Sequence, residues 1–345
     1  MKRLVAMLLA LVCFAALMPA VAEEEAVVNV FTWETYLDEY TIAAFEEATG
    51  IKVQYANFAS NEEMMIRLQA NGGSEYDLVI ASDYAVATLR KEGLLMALDK
   101  EQLTNWDNIN PEFLGQYYDP EDAYAVPYTA GSPMIVYNPE KTDMEFHSFS
   151  DLWDPSLKDN VCLIDDARVI IGAVLKSLGY SYNTTDADQL AEAKEKLFAL
   201  KDNVRVLAYD GGHTPILSGD VAVGYVFTTY AAICLQENPN LKAVFPEEGI
   251  GFGIDCMIIP ANAPHPGNAH QLINFVLDAQ VAAGVAEYQY YINPNAAADP
   301  LIDPDFLAMT PFHIPAELLA TKEFVEDLGQ DESLFQQIWD EFKLR

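Results

Sequence analysis

Aromatic side chains stand next to carboxylates in several segments that follow predicted strands. One such segment follows the first predicted strand, and another follows the third. Aromatic faces attract ammonium groups and pack on methylene chains, while carboxylates bind ammonium ends through charge-assisted hydrogen bonds. These residue types together predict a slot for a small organic cation. The candidates in the two segments are Trp33, Glu34, Thr35, Tyr36, Ser82, Asp83 and Tyr84.

Four further candidates lie at later strand ends or beside an Asn-Pro-Asn turn. For Asp166 a second interpretation stays open, because an Asp directly before a helix often caps it. Arg168 could likewise neutralise Asp165 or Asp166 in an ordinary ion pair. The four candidates are Asp166, Phe227, Asp255 and Tyr291.

The sequence lacks the common catalytic motifs. It has no G-x-S-x-G nucleophile elbow and no glycine loop of the phosphate-binding kind. Its five histidines do not show zinc-binding spacing. Asp166 and Asp255 could act as the carboxylate pair of a secreted hydrolase only if the fold brings them together. We therefore expect no enzyme activity, no metal and no cofactor, and keep the hydrolase as an alternative.

The composition is that of a globular and strongly acidic protein. The 345 residues include 19 Lys and Arg against 53 Asp and Glu, which gives a net charge of −34. Nucleic-acid and anionic-membrane binding are disfavoured, because both need clusters of positive charge. The same charge would attract a cationic ligand over long range, although acidity can also serve solubility alone.

The first 22 residues have the pattern of a secretory signal peptide. Lys2 and Arg3 precede an apolar stretch, and a small-residue cleavage site ends at Ala22. We therefore expect an exported protein whose mature chain starts at Glu23. Three cysteines remain after this cleavage, and we favour three buried thiols over one disulfide with one free thiol. They are Cys162, Cys234 and Cys256.

Hydrophobic periodicity predicts an α/β protein. Strands and helices alternate over residues 27–92, which is typical of a parallel sheet with helices on both faces. Residues 322–342 are predicted to form one acidic helix, and the chain length favours two domains without a flexible linker. Since ligands of such sheets bind at the carboxyl ends of strands, the site is expected in the loops that follow them.

The order of several short segments resembles that of the spermidine/putrescine-binding proteins, the extracytoplasmic solute-binding components of ABC importers. No single segment is specific, but together they run in the same order over nearly the whole chain after residue 22. The segments include F-T-W-E-T-Y at 31–36, S-D-Y at 82–84, D-D-A-R at 165–168 and I-P-A-N-A at 259–263.

The resemblance implies a two-lobed periplasmic-binding-protein fold of type II. Each lobe would be a central β-sheet flanked by helices, with hinge strands near residues 128–130, 255–256 and 293–295. The lobes would close on the ligand by hinge motion. The implied division is a signal peptide at 1–22, lobe 1 at 23–128 plus 256–298, and lobe 2 at 129–255 plus 299–345.

The resemblance also implies the roles of the candidate residues. Asp166 and Asp255 would bind the amines of a polyamine, and the remaining contacts would come from aromatic and hydroxyl side chains. A membrane permease with its ATPase would receive the ligand from the binding protein, which we expect to be a monomer. The implied aromatic and hydroxyl contacts are Trp33, Tyr36, Ser82, Tyr84 and Tyr291.

Several positions depart from the family pattern. Val169 stands where the family usually has a Glu. Gly253 stands where an aromatic residue is common, and Phe227 stands in place of a Trp. Val325 replaces a Gln, and Thr35 replaces an acid. These changes predict a ligand with fewer or differently placed amines than spermidine, such as putrescine. A protein of the same fold that binds another solute, or that serves a sensor, stays open as the alternative.

Overall fold

The computed structural model describes residues 26–34 and 36–345. The predicted signal peptide and the candidate Thr35 lie outside the described residues. The first group of elements is β1 (Val27–Thr32), α1 (Glu39–Thr49), β2 (Lys52–Asn57), α2 (Asn61–Asn71), β3 (Leu78–Ser82), α3 (Asp83–Lys91), β4 (Ala125–Gly131), β5 (Met134–Tyr137), β6 (Val161–Leu163), α4 (Ala167–Ser177) and α5 (Ala187–Ala199).

The remaining elements complete the same alternation of strands and helices. Short 3-10 turns connect several of them, and the C-terminal helix follows one such turn. The elements are β7 (Val204–Leu207), α6 (His213–Leu217), β8 (Val223–Val226), α7 (Thr228–Glu237), β9 (Lys242–Val244), β10 (Gly251–Ile258), α8 (Pro266–Val276), α9 (Ala279–Gln289), α10 (Pro304–Leu307), α11 (Ala316–Ala320), β11 (Glu323–Phe324) and α12 (Glu332–Lys343).

The first sheet has six strands, with β1 between β2 and β3 in parallel. Its strand residues alternate between two packed faces, as the pleat requires. Val28 and Val30 pack in one hydrophobic cluster with Phe45 of α1, whereas Phe31 packs in another with Met64 of α2. The predicted parallel sheet with helices on both faces is therefore confirmed for β1–β3, while β10 adds to β3 in the antiparallel direction.

The second sheet has five strands in the order β7-β6-β8-β5-β9. Three of these strands, β7, β6 and β8, are parallel neighbours, so their carboxyl ends meet at one edge. Helix α4 packs on this sheet through Ile170 and Val174, together with Trp339 and Phe342 of α12. The C-terminal helix thus belongs to the core of the second sheet.

Strands β4 and β10 lie where the chain passes between the two sheets. They pair with each other in the antiparallel direction, and β5 of the second sheet begins three residues after β4 ends at Gly131. Ile292 also makes an isolated bridge to Ala130 of β4. The exact lobe boundaries stay a prediction.

The prediction of one helix over residues 322–342 was wrong. Glu323 and Phe324 form a short parallel strand with β10, and the helix begins only at Glu332. Gly329 between them has a φ of 58°, a left-handed conformation that interrupts a helix. The Glu323 side chain also forms a 2.6 Å ion pair with Lys176, a long-range contact that the local pattern does not reveal.

The prediction of three buried thiols is confirmed. Cys162, Cys234 and Cys256 are all free and buried. Each lies within a hydrophobic cluster, and burial raises the pKa of each thiol.

Two helical glycines allow a matched test of core packing. A β-carbon at Gly172 would lie 2.0 Å from the ring of Tyr182, whereas one at Gly284 would have nothing within 4 Å. We expect Gly172→Ala to lower the free energy of unfolding by about 1–3 kcal/mol through overpacking. Gly284→Ala should instead raise it by up to about 1 kcal/mol, because Ala is the better helix former. Denaturant unfolding measures both, and equal effects would contradict the packing described for α4.

Candidate functional site

The candidate residues of the first sheet gather at the carboxyl ends of its parallel strands. Trp33 and Tyr36 follow β1, and Ser82 ends β3. Asp255 joins them from β10, where it lies opposite Ser82 in the antiparallel ladder. Tyr84 lies in the first turn of α3. The sheet register therefore collects these side chains at one edge.

The Asp255 carboxylate is the centre of this group. Its Oδ2 accepts a 2.5 Å hydrogen bond from the Tyr36 hydroxyl, and its Oδ1 accepts a 2.7 Å bond from the Ser82 hydroxyl. Asn61 donates in turn to the Ser82 oxygen at 3.1 Å. Desolvation raises the pKa of Asp255, although the two hydroxyl donors oppose that rise.

The segment that carries Trp33 and Tyr36 is fixed by its backbone carbonyls. Tyr128 and Gln289 both donate hydrogen bonds to the carbonyl of Tyr36, and Tyr55 donates to the carbonyl of Trp33 at 2.8 Å. Sequence reasoning missed these three positioning residues, because they lie on different elements far along the chain. The Trp33 ring packs edge-on against Phe58 at 4.5 Å, so it is both part of the core and part of the site edge.

Glu34 and Asp83 differ from the other candidate residues in their exposure to solvent. Glu34 is exposed, while Asp83 is buried with only 2% of its surface accessible. The Asp83 carboxyl accepts hydrogen bonds from the backbone N–H groups of Tyr84 at 2.7 Å and Ile254 at 3.2 Å. Desolvation raises the pKa of Asp83 to about 8. This side chain therefore supports the α3–β10 contact from the interior.

The second sheet contributes Asp166 and Phe227 at the ends of β6 and β8. The Oδ1 atom of Asp166 accepts a 2.9 Å hydrogen bond from the N–H of Val169, so the interpretation of Asp166 as a helix cap is confirmed. Desolvation raises the pKa of Asp166 as well. Capping uses one carboxylate oxygen and leaves the negative charge of the group in place.

Arg168 does not form the ion pair with Asp165 or Asp166 that the sequence left open. Arg168 forms a salt bridge with Glu332 and donates a 2.9 Å hydrogen bond to Asn183. Asp165 instead accepts hydrogen bonds from the Trp339 indole at 2.8 Å and from Lys343 at 3.1 Å. The C-terminal helix supplies these partners, and it is remote in sequence from the D-D-A-R segment.

The edges of the two sheets face each other. The negative charge of Asp166 contributes to raising the pKa of Tyr84 on the first sheet, after burial and Glu62. Tyr291 lies where the chain crosses between the sheets, since a β-carbon on Gly131 would lie 3.0 Å from its ring. Burial and the charge of Asp255 raise the pKa of Tyr291.

The candidates that meet here share one property. Each is half-buried, so each has protein around it and still keeps accessible surface. Within residues 26–34 and 36–345, neither Asp166 nor Asp255 forms a salt bridge with a cationic side chain. Partly desolvated carboxylates without a cation favour a positively charged partner. The half-buried candidates are Trp33, Tyr36, Ser82, Tyr84, Asp166, Phe227, Asp255 and Tyr291.

Sequence reasoning also missed Glu62, Tyr209 and Asp210. The Tyr84 hydroxyl donates to Glu62 at 3.0 Å, and the Tyr230 hydroxyl donates to Asp210 at 3.2 Å. Glu62 and Tyr209 both follow strands, so the rule that ligands bind at strand ends could have found them. Asp210 follows the same strand as Tyr209, so the same rule applies to it.

The positions that depart from the family pattern lie in two kinds of surroundings. Val169 and Val325 pack against the hydrophobic core of the second sheet. Gly253 is exposed, and a β-carbon there would have no atom within 4 Å. The loss of side-chain bulk at Gly253 therefore leaves open space beside Asp255.

Two sheets joined by crossing strands, with aromatic and carboxylate side chains between their facing edges, define a two-lobed solute-binding protein. Residues 41–326 match the family of bacterial extracellular solute-binding proteins. The chain belongs to this family. Among the residues that the structure describes, no helix has both the length and the apolar character to cross a membrane.

Characterised relatives share most of the chain. It is 36% identical to the spermidine/putrescine-binding periplasmic protein of Salmonella typhimurium, over 91% of this chain and 90% of the relative. It is 30% identical to the putrescine/cadaverine-binding protein of Pseudomonas aeruginosa, over 97% and 99%. These relatives are binding proteins.

The solved structures agree with this assignment. The spermidine/putrescine ABC transporter substrate-binding protein of Streptococcus pneumoniae superposes with a TM-score of 0.83 at 33% identity, covering 92% of this chain and 98% of that one. The corresponding lipoprotein of Treponema pallidum gives a TM-score of 0.82 at 26% identity, over 92% and 100%. The fold of two lobes predicted from the sequence is confirmed.

The raised pKa of Asp83 predicts a pH dependence of stability. Between about pH 4 and pH 8 the unfolded chain ionises this group while the folded protein keeps it protonated. The free energy of unfolding should therefore fall with rising pH, with a contribution from Asp83 of up to about 1.4 kcal/mol per pH unit. Asp83→Asn should remove this contribution. The free energy of unfolding of the variant, relative to that of the native protein, should therefore rise from pH 5 to pH 8. Denaturant unfolding at both pH values measures this, and a constant difference would contradict the raised pKa.

Proposed function

We propose that this protein is the substrate-binding component of an ABC importer, and that it captures a small polyamine between its lobes. One observation carries the proposal: Asp166 and Asp255 are half-buried on facing edges and have no salt bridge among the described residues. Two such carboxylates, with aromatic rings beside them, suit a flexible chain that carries an ammonium group at each end.

The half-buried aromatic rings would hold the carbon chain. Trp33 and Tyr36 come from the first sheet, and Tyr291 comes from the crossing region. Their faces would pack on methylenes, while the Tyr36 and Ser82 hydroxyls hold the Asp255 carboxylate. The full proposed contact set is Trp33, Tyr36, Ser82, Tyr84, Asp166, Phe227, Asp255 and Tyr291.

The names of the relatives support a polyamine, and the site favours a short one. The relatives are named for spermidine, putrescine and cadaverine. In this chain Val169 brings no third carboxylate to the site and packs on the core instead. Since a buried ammonium without a partner is costly, a diamine fits the two carboxylates better than a triamine does.

Ligand capture would use the lobes as a hinged pair. We propose lobe 1 at 23–128 plus 256–298 and lobe 2 at 129–255 plus 299–345. The boundary at 128/129 falls inside β4, and the boundary at 255/256 falls inside β10. These two strands pair with each other, and they would act as hinge strands. Strand β11 is the exception, since it belongs to lobe 2 by number and pairs with β10.

Closing of the lobes on the ligand would precede its delivery to the membrane. The closed protein would act as a monomer and present its ligand to a membrane permease that is driven by an ATPase. The net charge of −34 would raise the rate at which a cationic ligand meets the open site.

A different small solute is the second candidate, and the open space at Gly253 favours it. A solute with fewer amines and more bulk could occupy that space. The same titrations distinguish the two candidates, because the second requires a ligand that is not a polyamine.

Calorimetric titration of ligand-free protein tests the proposal directly. We expect putrescine or cadaverine to bind with a micromolar or lower dissociation constant, which corresponds to about 8 kcal/mol of binding free energy. Spermidine should bind more weakly, and 1,4-butanediol, a neutral molecule of similar length, should not bind. The absence of binding to every amine would overturn the polyamine assignment.

Removal of one site charge gives the matched test. Asp255→Asn should weaken putrescine binding at least about tenfold, since a hydrogen bond to a charged group contributes about 1.5–3 kcal/mol. Asp107→Asn changes an exposed acid on a 3-10 turn and should leave the affinity unchanged, which controls for net charge.

The raised pKa of Asp255 adds a pH signature to the same titration. Protonation neutralises the Asp255 carboxylate at a higher pH than in an ordinary Asp, so putrescine affinity should fall on acidification, and it should fall less in Asp255→Asn. Equal affinities for the native protein and Asp255→Asn at neutral pH would contradict the role of Asp255.

A further inference from the structure

Tyr209 lies at the same sheet edge as Asp166 and Phe227. The parallel strands β7, β6 and β8 are neighbours in that order, so their carboxyl ends are adjacent. Asp166 follows the central strand, while Tyr209 and Phe227 follow the strands on either side. Residues at the ends of neighbouring parallel strands are well placed to share a ligand.

The two aromatic rings meet across the end of the central strand. The ring centroids of Tyr209 and Phe227 are 5.7 Å apart and the rings are nearly perpendicular, at 72°. Since β6 lies between β7 and β8, this pair bridges the place where Asp166 begins α4. Tyr209 remains 41% exposed, so part of its surface is accessible to a ligand.

Charges on both sheets act on Tyr209. The charges of Asp166 and Asp255, together with burial as the largest cause, raise the pKa of Tyr209. Tyr209 in turn contributes to raising the pKa of Tyr291, which lies at the crossing between the sheets. On β10, two residues before Asp255, a β-carbon on Gly253 would meet nothing within 4 Å.

We propose that Tyr209, backed by Phe227, is a ligand-contacting residue that sets specificity for a short linear diamine. This inference rests on the proposed function. The Tyr209 face would cover the methylenes next to the ammonium bound by Asp166, and would attract that ammonium through its ring. A ring at this strand end would also limit how much chain or bulk the site accepts.

Calorimetric titrations of four variants test this role. Tyr209→Ala and Tyr209→Leu should both weaken putrescine binding about tenfold, the change expected for loss of an aromatic–cation contact of about 1–2 kcal/mol. Tyr209→Phe keeps the ring and should stay within about twofold of the native protein. Tyr40→Ala removes a tyrosine that is 78% exposed on α1 and should have no effect. The ratio of putrescine to spermidine affinity should also fall in Tyr209→Ala, because the site becomes wider.

The outcomes separate this inference from the proposed function. If the native protein binds putrescine and Tyr209→Ala binds it equally well, Tyr209 has no contact role and only this inference is overturned. If Tyr209→Phe is as weak as Tyr209→Ala, the ring is not what the ligand contacts, which overturns it as well. If the native protein binds no amine, both proposals fail together. Thermal unfolding of each variant shows that it is folded, and Tyr209→Leu replaces Tyr209→Ala if the smaller side chain prevents folding.

Discussion

The carboxylate of Asp255 is the group around which the site of this solute-binding protein is arranged. A partly desolvated carboxylate needs donors, and Tyr36 and Ser82 meet this need from the ends of two neighbouring strands. The Tyr36 segment must in turn be held in place, which Tyr128 and Gln289 do through its carbonyl. These bonds connect β1, β3, β4, β10 and α9. Both donors satisfy the oxygens of Asp255 without neutralising it, so its charge remains available to a cation.

Asp255 also lies on the strand that links the two halves of the molecule. Strand β10 pairs with β3 on one side and with β4 on the other, so it belongs to the first sheet and to the crossing region at once. The C-terminal segment makes a further connection, because Glu323 pairs with β10 through its backbone and with Lys176 through its side chain. A ligand that binds Asp255 therefore contacts the element where hinge motion would begin.

The second sheet contributes a different kind of carboxylate. Asp166 caps α4 through one oxygen, so its position is set by the helix and does not depend on hydroxyl donors. The fixed cap and the donor-held Asp255 differ in chemistry but share partial burial, and neither forms a salt bridge within the part of the chain that the structure describes. At the strand ends beside Asp166, the rings of Tyr209 and Phe227 pack together. Val169 packs on the core and brings no third carboxylate, which is the physical basis of the proposed diamine.

Local pattern determined much of the fold. The alternation of Val28, Val30 and Phe31 between two cores follows from the pleat of a strand, and the pairing of aromatic with acidic side chains already indicated a cation. Tertiary structure decided what neighbouring residues do. Ser82 and Asp83 are adjacent in sequence, yet Ser82 binds Asp255 and Asp83 is buried with backbone partners. Arg168 pairs with Glu332, residues 322–342 form a strand and a separate helix, and Tyr209 packs against Phe227. Each of these outcomes depends on contacts between distant segments, and a sequence pattern reports only the preferences of neighbours along the chain.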